Sequence, residues 1–101
     1  MYNIFNSVVN VIFLKLEDKI IGTYMKFTEY FLYTRMRPDR LCIKEKWIQE
    51  AIDNPLKTEF QSDGRIRKWI YVKEVDKYLR VILLSDGITV HNAFFDRRFQ
   101  E

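Results

Sequence analysis

Arg65, Arg67, Trp69 and Tyr71 stand at alternate positions, followed by Arg80 and then His91, the only histidine. Alternate residues of a strand project from the same face, so these side chains can share one surface if their segments are strands of one sheet. Arginine holds anions in a forked geometry, aromatic rings offer stacking faces, and histidine alone titrates near neutrality. Such a surface is suited to an anionic partner, and a phosphate-bearing one fits the local charge. Residues 26–46 carry six Lys/Arg against three Asp/Glu, and residues 57–73 carry five against two.

The segment Ser62–Phe99 reads as three strands joined by two turns. Asp86-Gly87 predicts a two-residue type I′ hairpin pairing Leu83 with Val90, Ile82 with His91 and Arg80 with Ala93. A looser turn over Glu74–Lys77 would pair Val72 with Leu79 and Tyr71 with Arg80. One face then holds Ile70, Val72, Leu79, Val81, Leu83, Val90 and Phe94, an apolar set that must be covered. Asn92 is expected on that apolar face as a structural hydrogen-bonding residue. The opposite face holds Arg65, Arg67, Trp69, Tyr71, Arg80, Ile82, Thr89 and His91.

The cover comes from upstream. Thr28 is suited to cap a helix with Glu29 in its first turn, and Pro38 ends that helix after Arg35-Met36-Arg37. Ile43, Trp47, Ile48, Ala51 and Ile52 form the apolar stripe of a second helix, stopped at Asp53-Asn54-Pro55. A short strand over Thr58–Gln61 precedes the meander. The fold class expected is α+β: two helices followed by a four-stranded antiparallel sheet, with an N-terminal extension.

At 101 residues, with 48% hydrophobic and 31% charged residues, the chain is one globular domain over residues 25–101. Residues 1–24 read either as a hairpin turning at Glu17-Asp18-Lys19 or as an extension from a misassigned start, with Met25-Lys26-Phe27-Thr28 as the natural beginning. The apolar patch Val8–Leu16 is too short and too polar to span a membrane. A single cysteine, Cys42, excludes an internal disulfide and a cysteine-based zinc site; it points to a reducing cytoplasm and reads as a small buried residue. No phosphate-binding loop, dinucleotide fingerprint, metal-ligand cluster or Ser-His-Asp pattern occurs, which argues against nucleotide- and metal-dependent enzymes and leaves no cofactor expected.

Three segments, WIQEAIDNP, QSDGRIRKW and KYLRVILLSDGITVHNAFFDR, resemble those of small bacterial proteins, often cyanobacterial, related to RelE/BrnT-type toxins and neighbouring families. The resemblance covers residues 26–99. It implies a compact RelE/BECR-like fold and an endoribonuclease toxin of a type II toxin–antitoxin pair, with RNA (mRNA) and a small antitoxin as partners. RNA cleavage through the 2′-hydroxyl needs proton transfer and cations on the phosphate. His91, Arg67 and Arg80 would be catalytic, and Arg65, Trp69, Tyr71 and Arg35 would bind substrate. Related toxins commonly carry a catalytic His or Lys in the first helix, where this chain has Tyr30. The alternative is a non-catalytic RNA- or protein-binding module, with Trp69 and Tyr71 packed under the extension or in a homodimer. A DNA-excision or phage-associated accessory role rests only on the same charge.

Overall fold

Met25 and Phe27 are buried on either side of a half-buried Lys26, in a strand that directly precedes the first helix. The structure is a computed structural model that describes the backbone of residues 8–11, 14–16 and 19–21 and the whole of 25–101. Strands β1 (Val8–Val11), β2 (Leu14–Leu16), β3 (Lys19–Ile21) and β4 (Met25–Thr28) precede helices α1 (Glu29–Thr34) and α2 (Glu45–Asp53). Strands β5 (Lys57–Phe60), β6 (Ile66–Val72), β7 (Lys77–Leu83) and β8 (Thr89–Phe95) follow.

The main sheet runs β1-β4-β8-β7-β6-β5, while β2 and β3 pair separately. Strand β4 lies parallel to β8, with Lys26 beside Thr89 and Phe27 beside Val90; every other pairing in the sheet is antiparallel. This overturns the expected four-stranded antiparallel sheet. From residue 25 onward there are five strands in a mixed sheet, and β1 adds a sixth along β4. The physical reason is a pairing partner more than sixty residues away, which leaves no turn signal beside β4 to announce it. Within the segment read as an extension, β2 pairs with β3 from Leu14↔Ile21 to Leu16↔Lys19; Glu17 and Asp18, placed in its turn, lie outside the described residues.

Thr28 ends β4 and caps α1, its Oγ1 accepting from Phe31 N at 3.1 Å. Helix α2 begins at Glu45 and lays Trp47, Ile48 and Ala51 on β6 and β7. The core joins these to Met25, Phe27, Phe31, Ile70, Val72, Leu79, Val81, Leu83, Val90 and Ala93. Two polar groups fix the helix over the sheet. Trp47 Nε1 donates to Glu74 Oε2 at 3.2 Å, and Lys68 Nζ donates to the Ile52 carbonyl at 2.9 Å.

Both turns differ in detail from expectation, with different consequences. The β6–β7 loop covers residues 73–76, and Val72 pairs with Lys77 and Trp69 with Arg80. That is a two-residue shift, and because side chains alternate every two residues it leaves both faces intact. In the β7–β8 loop only Gly87 has positive φ, 76°, so the turn is not type I′; Gly87 N bonds Leu84 O and Leu84 N bonds Thr89 O. The Asp86 carboxylate instead ties the loop by accepting from the Ile88 and Thr89 backbone N–H groups and the Thr89 hydroxyl. Beyond Val90 a bulge intervenes, so Ile82 faces Asn92 and Arg80 faces Phe94. This one-residue slip moves Asn92 and Phe94 to the polar face and puts Ala93 and Phe95 on the apolar one. Cys42 is exposed, since it sits in the turns after α1 rather than beneath α2.

Phe27, with no exposed surface, is central to a strand of only four residues. Phe27→Ala is expected to lower stability by about 3–5 kcal/mol. Urea unfolding checks this: the midpoint should fall with its slope unchanged.

Candidate functional site

The residues of the polar face fall into separate groups because the chain after β8 turns back across it. Asp96 is the hinge of that return. Its Oδ2 accepts from Trp69 Nε1 at 2.9 Å and from Arg80 Nε and Nη2 at 3.0 and 2.7 Å. Phe99 then stacks on Trp69 at 5.0 Å between centroids and packs against Tyr78 at 4.9 Å. The Arg80 guanidinium lies over both Trp69 and Phe94, 5.4 and 5.0 Å from the ring centroids. Tyr71 packs on Tyr78 and donates to Asp76. Trp69, expected to face a base, is thus 3% exposed beneath the chain's own tail.

His91 belongs to a second group, at the bulge. It is 7% exposed, with Nδ1 3.0 Å from the Thr28 hydroxyl and its ring stacked on Tyr30 at 4.9 Å. Burial, and then the nearby Arg65 charge, push its pKa below the ordinary 6.5, so the imidazole is neutral at pH 7. Arg65 makes no ion pair among the described residues. Arg67 sits 3.7 Å from Glu59 on β5. Arg65, Arg67 and His91 therefore share one end of the face, while Arg80, Trp69 and Tyr71 share the other.

Arg35 stands apart from both. It donates to Glu45 Oε2 at 2.8 Å and lies over Phe27 and Phe31, 5.3 and 5.7 Å from their centroids. With Met36, Arg40 and Leu41 it rims a dimple of about 140 Å³ whose walls include Phe31, Ile43, Ile48 and Ala93. On the other side of Arg40 a cleft of about 660 Å³ opens between the turns after α1, the start of β7 and the tail, lined among others by Lys77, Tyr78, Phe94 and Phe99.

Arg40 is the residue that the linear pattern did not single out. Its Nη1 donates to Asn92 Oδ1 at 2.8 Å, and its guanidinium covers Phe94 at 5.2 Å, so Phe94 lies between Arg40 and Arg80. Asn92 thereby finds a charged partner on the polar face instead of the helices. Arg40 Nε is buried without a hydrogen-bond acceptor, although Asp39 Oδ2 is 3.4 Å away. The clue available in sequence was Asn92, a polar residue that needed a partner wherever the bulge placed it.

Comparison of the chain with protein-family models, curated proteins and solved structures gives no match. Among the described residues no three His, Cys, Asp or Glu side chains are grouped to hold a metal ion. No described helix is long and apolar enough to cross a membrane.

Two outcomes follow. Because the folded pKa of His91 lies below its unfolded value, the unfolded chain takes up the proton first as pH falls. The His91 contribution is complete above 6.5 and is lost as pH drops from there through the folded value. Melting temperature recorded against pH should decline over that window, and His91→Gln should flatten the decline. Burial alone would raise the Asp96 carboxyl, but hydrogen bonds from Trp69 and Arg80 hold it below its ordinary 3.8. A double-mutant cycle of Arg80→Met with Asp96→Asn should give a coupling of about 1–3 kcal/mol by denaturant unfolding.

Proposed function

We propose that this protein is a non-catalytic protein-binding module whose partner is an acidic, amphipathic segment seated on the α1–α2 connection. The observation that carries this reading is the dimple rimmed by Arg35, Met36, Arg40 and Leu41. Its volume of about 140 Å³ suits one aliphatic anchor side chain, and interface energy concentrates in such anchors. Met36 and Leu41 on its rim are 66% and 61% exposed, apolar side chains set between Arg40 and the Arg35–Glu45 pair. The Arg40 guanidinium on the same rim offers a charged group to a carboxylate beside the anchor. The expected small antitoxin would be a partner of this kind.

The groups that RNA would use are largely engaged within the chain: Arg80 and Trp69 with Asp96, and Trp69 with Phe99. One observation favours endoribonuclease activity as a second reading, namely the Arg65 charge, without an ion pair among the described residues, beside a His91 that is itself 7% exposed.

Titration with designed acidic amphipathic peptides, their charge-reversed counterparts and single-stranded RNA separates the two. Acidic peptides should bind and charge-reversed ones should not, and Met36→Lys or Leu41→Lys should abolish binding without lowering the melting temperature. RNA cleavage lost in His91→Ala, or RNA binding that falls steeply with salt and needs Arg65 and Arg67, would establish the second reading instead.

A further inference from the structure

Strand β5 is an edge of the main sheet, and no described strand pairs with its outer side. Gln61 N bonds Arg65 O, and Glu59 and Lys57 face Arg67 and Trp69 in the same register. Paired and unpaired residues alternate along an antiparallel ladder, so Lys57 and Glu59 point their backbone groups at β6. Thr58 and Phe60 point theirs outward. On either side of Thr58 stand two exposed apolar residues, Leu56 at 52% and Phe60 at 78%.

We propose that β5 pairs antiparallel with β5 of a second copy of this chain, about a two-fold axis at Thr58. That register is self-complementary. Thr58 meets Thr58 of the second copy, Lys57 meets Glu59, and Leu56 meets Phe60, each of the last two contacts occurring twice by symmetry. Charges on an edge strand ordinarily keep other strands away, because most registers bring like charges together. Here opposite signs two residues apart turn the same charges into attraction in one register and repulsion in the registers that set Lys57 or Glu59 against its own copy. Lys57 and Glu59 already lie 3.2 Å apart within the strand, on side chains 49% and 43% exposed, so both reach the second copy without leaving a buried partner. Thr58 and Phe60 share the helix-bearing face with Lys68 and Ile66, whereas Leu56, just before the strand, donates its backbone N–H to the Trp69 carbonyl at 2.7 Å and so meets Phe60 of the second copy through its side chain and carbonyl alone. The surface is distinct from the dimple, so the two can be occupied together.

Sedimentation equilibrium over a range of concentrations tests this. The wild-type chain should associate to a dimer and no further. Lys57→Glu alone and Glu59→Lys alone should each weaken self-association tenfold or more, since each brings like charges face to face. Mixing these two variants should restore dimers, because in the mixed pair both contacts between positions 57 and 59 join opposite charges: the introduced carboxylate meets the introduced ammonium, and the original Glu59 of one variant meets the original Lys57 of the other. Phe60→Lys, at a side chain outside the core, should also give monomers with an unchanged melting temperature. A wild-type chain that stays monomeric would overturn the proposal, as would dimers that survive Phe60→Lys and both charge variants, or single variants whose mixture fails to associate.

Discussion

The pairing of β4 with β8 is the constraint on which the rest of the molecule depends. It brings Thr28, at the end of β4, against His91 on β8, sixty-three residues further along the chain. One hydroxyl then serves two elements, capping α1 through Phe31 N and meeting the imidazole of the bulged strand. The direction in which α1 leaves the sheet, and with it the position of the turns at 35–42, is set at this residue. An N-cap contributes about 1 kcal/mol to its helix. Its larger effect here is geometric, since the arginines after α1 reach β8 only because the helix starts beside it.

The same constraint explains why the bulge matters. A parallel strand beside β8 requires Phe27 and Val90 to enter the core together, with Lys26 and Thr89 on the opposite side. Beyond that point Ala93 and Phe95 must also turn inward to meet α1 and α2. An unbroken alternation from Val90 would send Asn92 and Phe94 inward instead. One extra residue in β8 reconciles the two requirements, and His91 sits where that residue is inserted. Its burial is therefore a product of sheet geometry as much as of its own chemistry, and the neutral imidazole follows from that burial.

Much of the fold was legible because its signals were local. Thr28 with Glu29 announced a cap, the stripe Trp47, Ile48 and Ala51 announced a covering helix, and Gly87 announced the turn into β8. The β6–β7 register was off by two residues without harm, because a period of two is blind to that error. The bulge was not legible: nothing in Thr-Val-His-Asn distinguishes a regular strand from one with an inserted residue. Nor was β4, four residues long and paired with a strand remote in sequence. The site residues were found as types but not as a constellation. Arg80 and Trp69 were placed on the correct face, yet their partner Asp96 lies in the tail beyond β8, where no strand register reaches.

Three arginines of this chain are held within its own structure. Arg80 is held by Asp96 between two rings, Arg35 by Glu45 over two more, and Arg40 by Asn92 against Phe94. Each guanidinium covers apolar surface with its plane while its edge donates hydrogen bonds, a use that lysine cannot match. In a small chain with many aromatic residues, this turns the polar side of the sheet into a second packed layer. The positive charge of these three is thus committed to structure. What remains for a partner lies where packing stops, at Arg65 beside the bulge and at the exposed Arg97 and Arg98 of the tail.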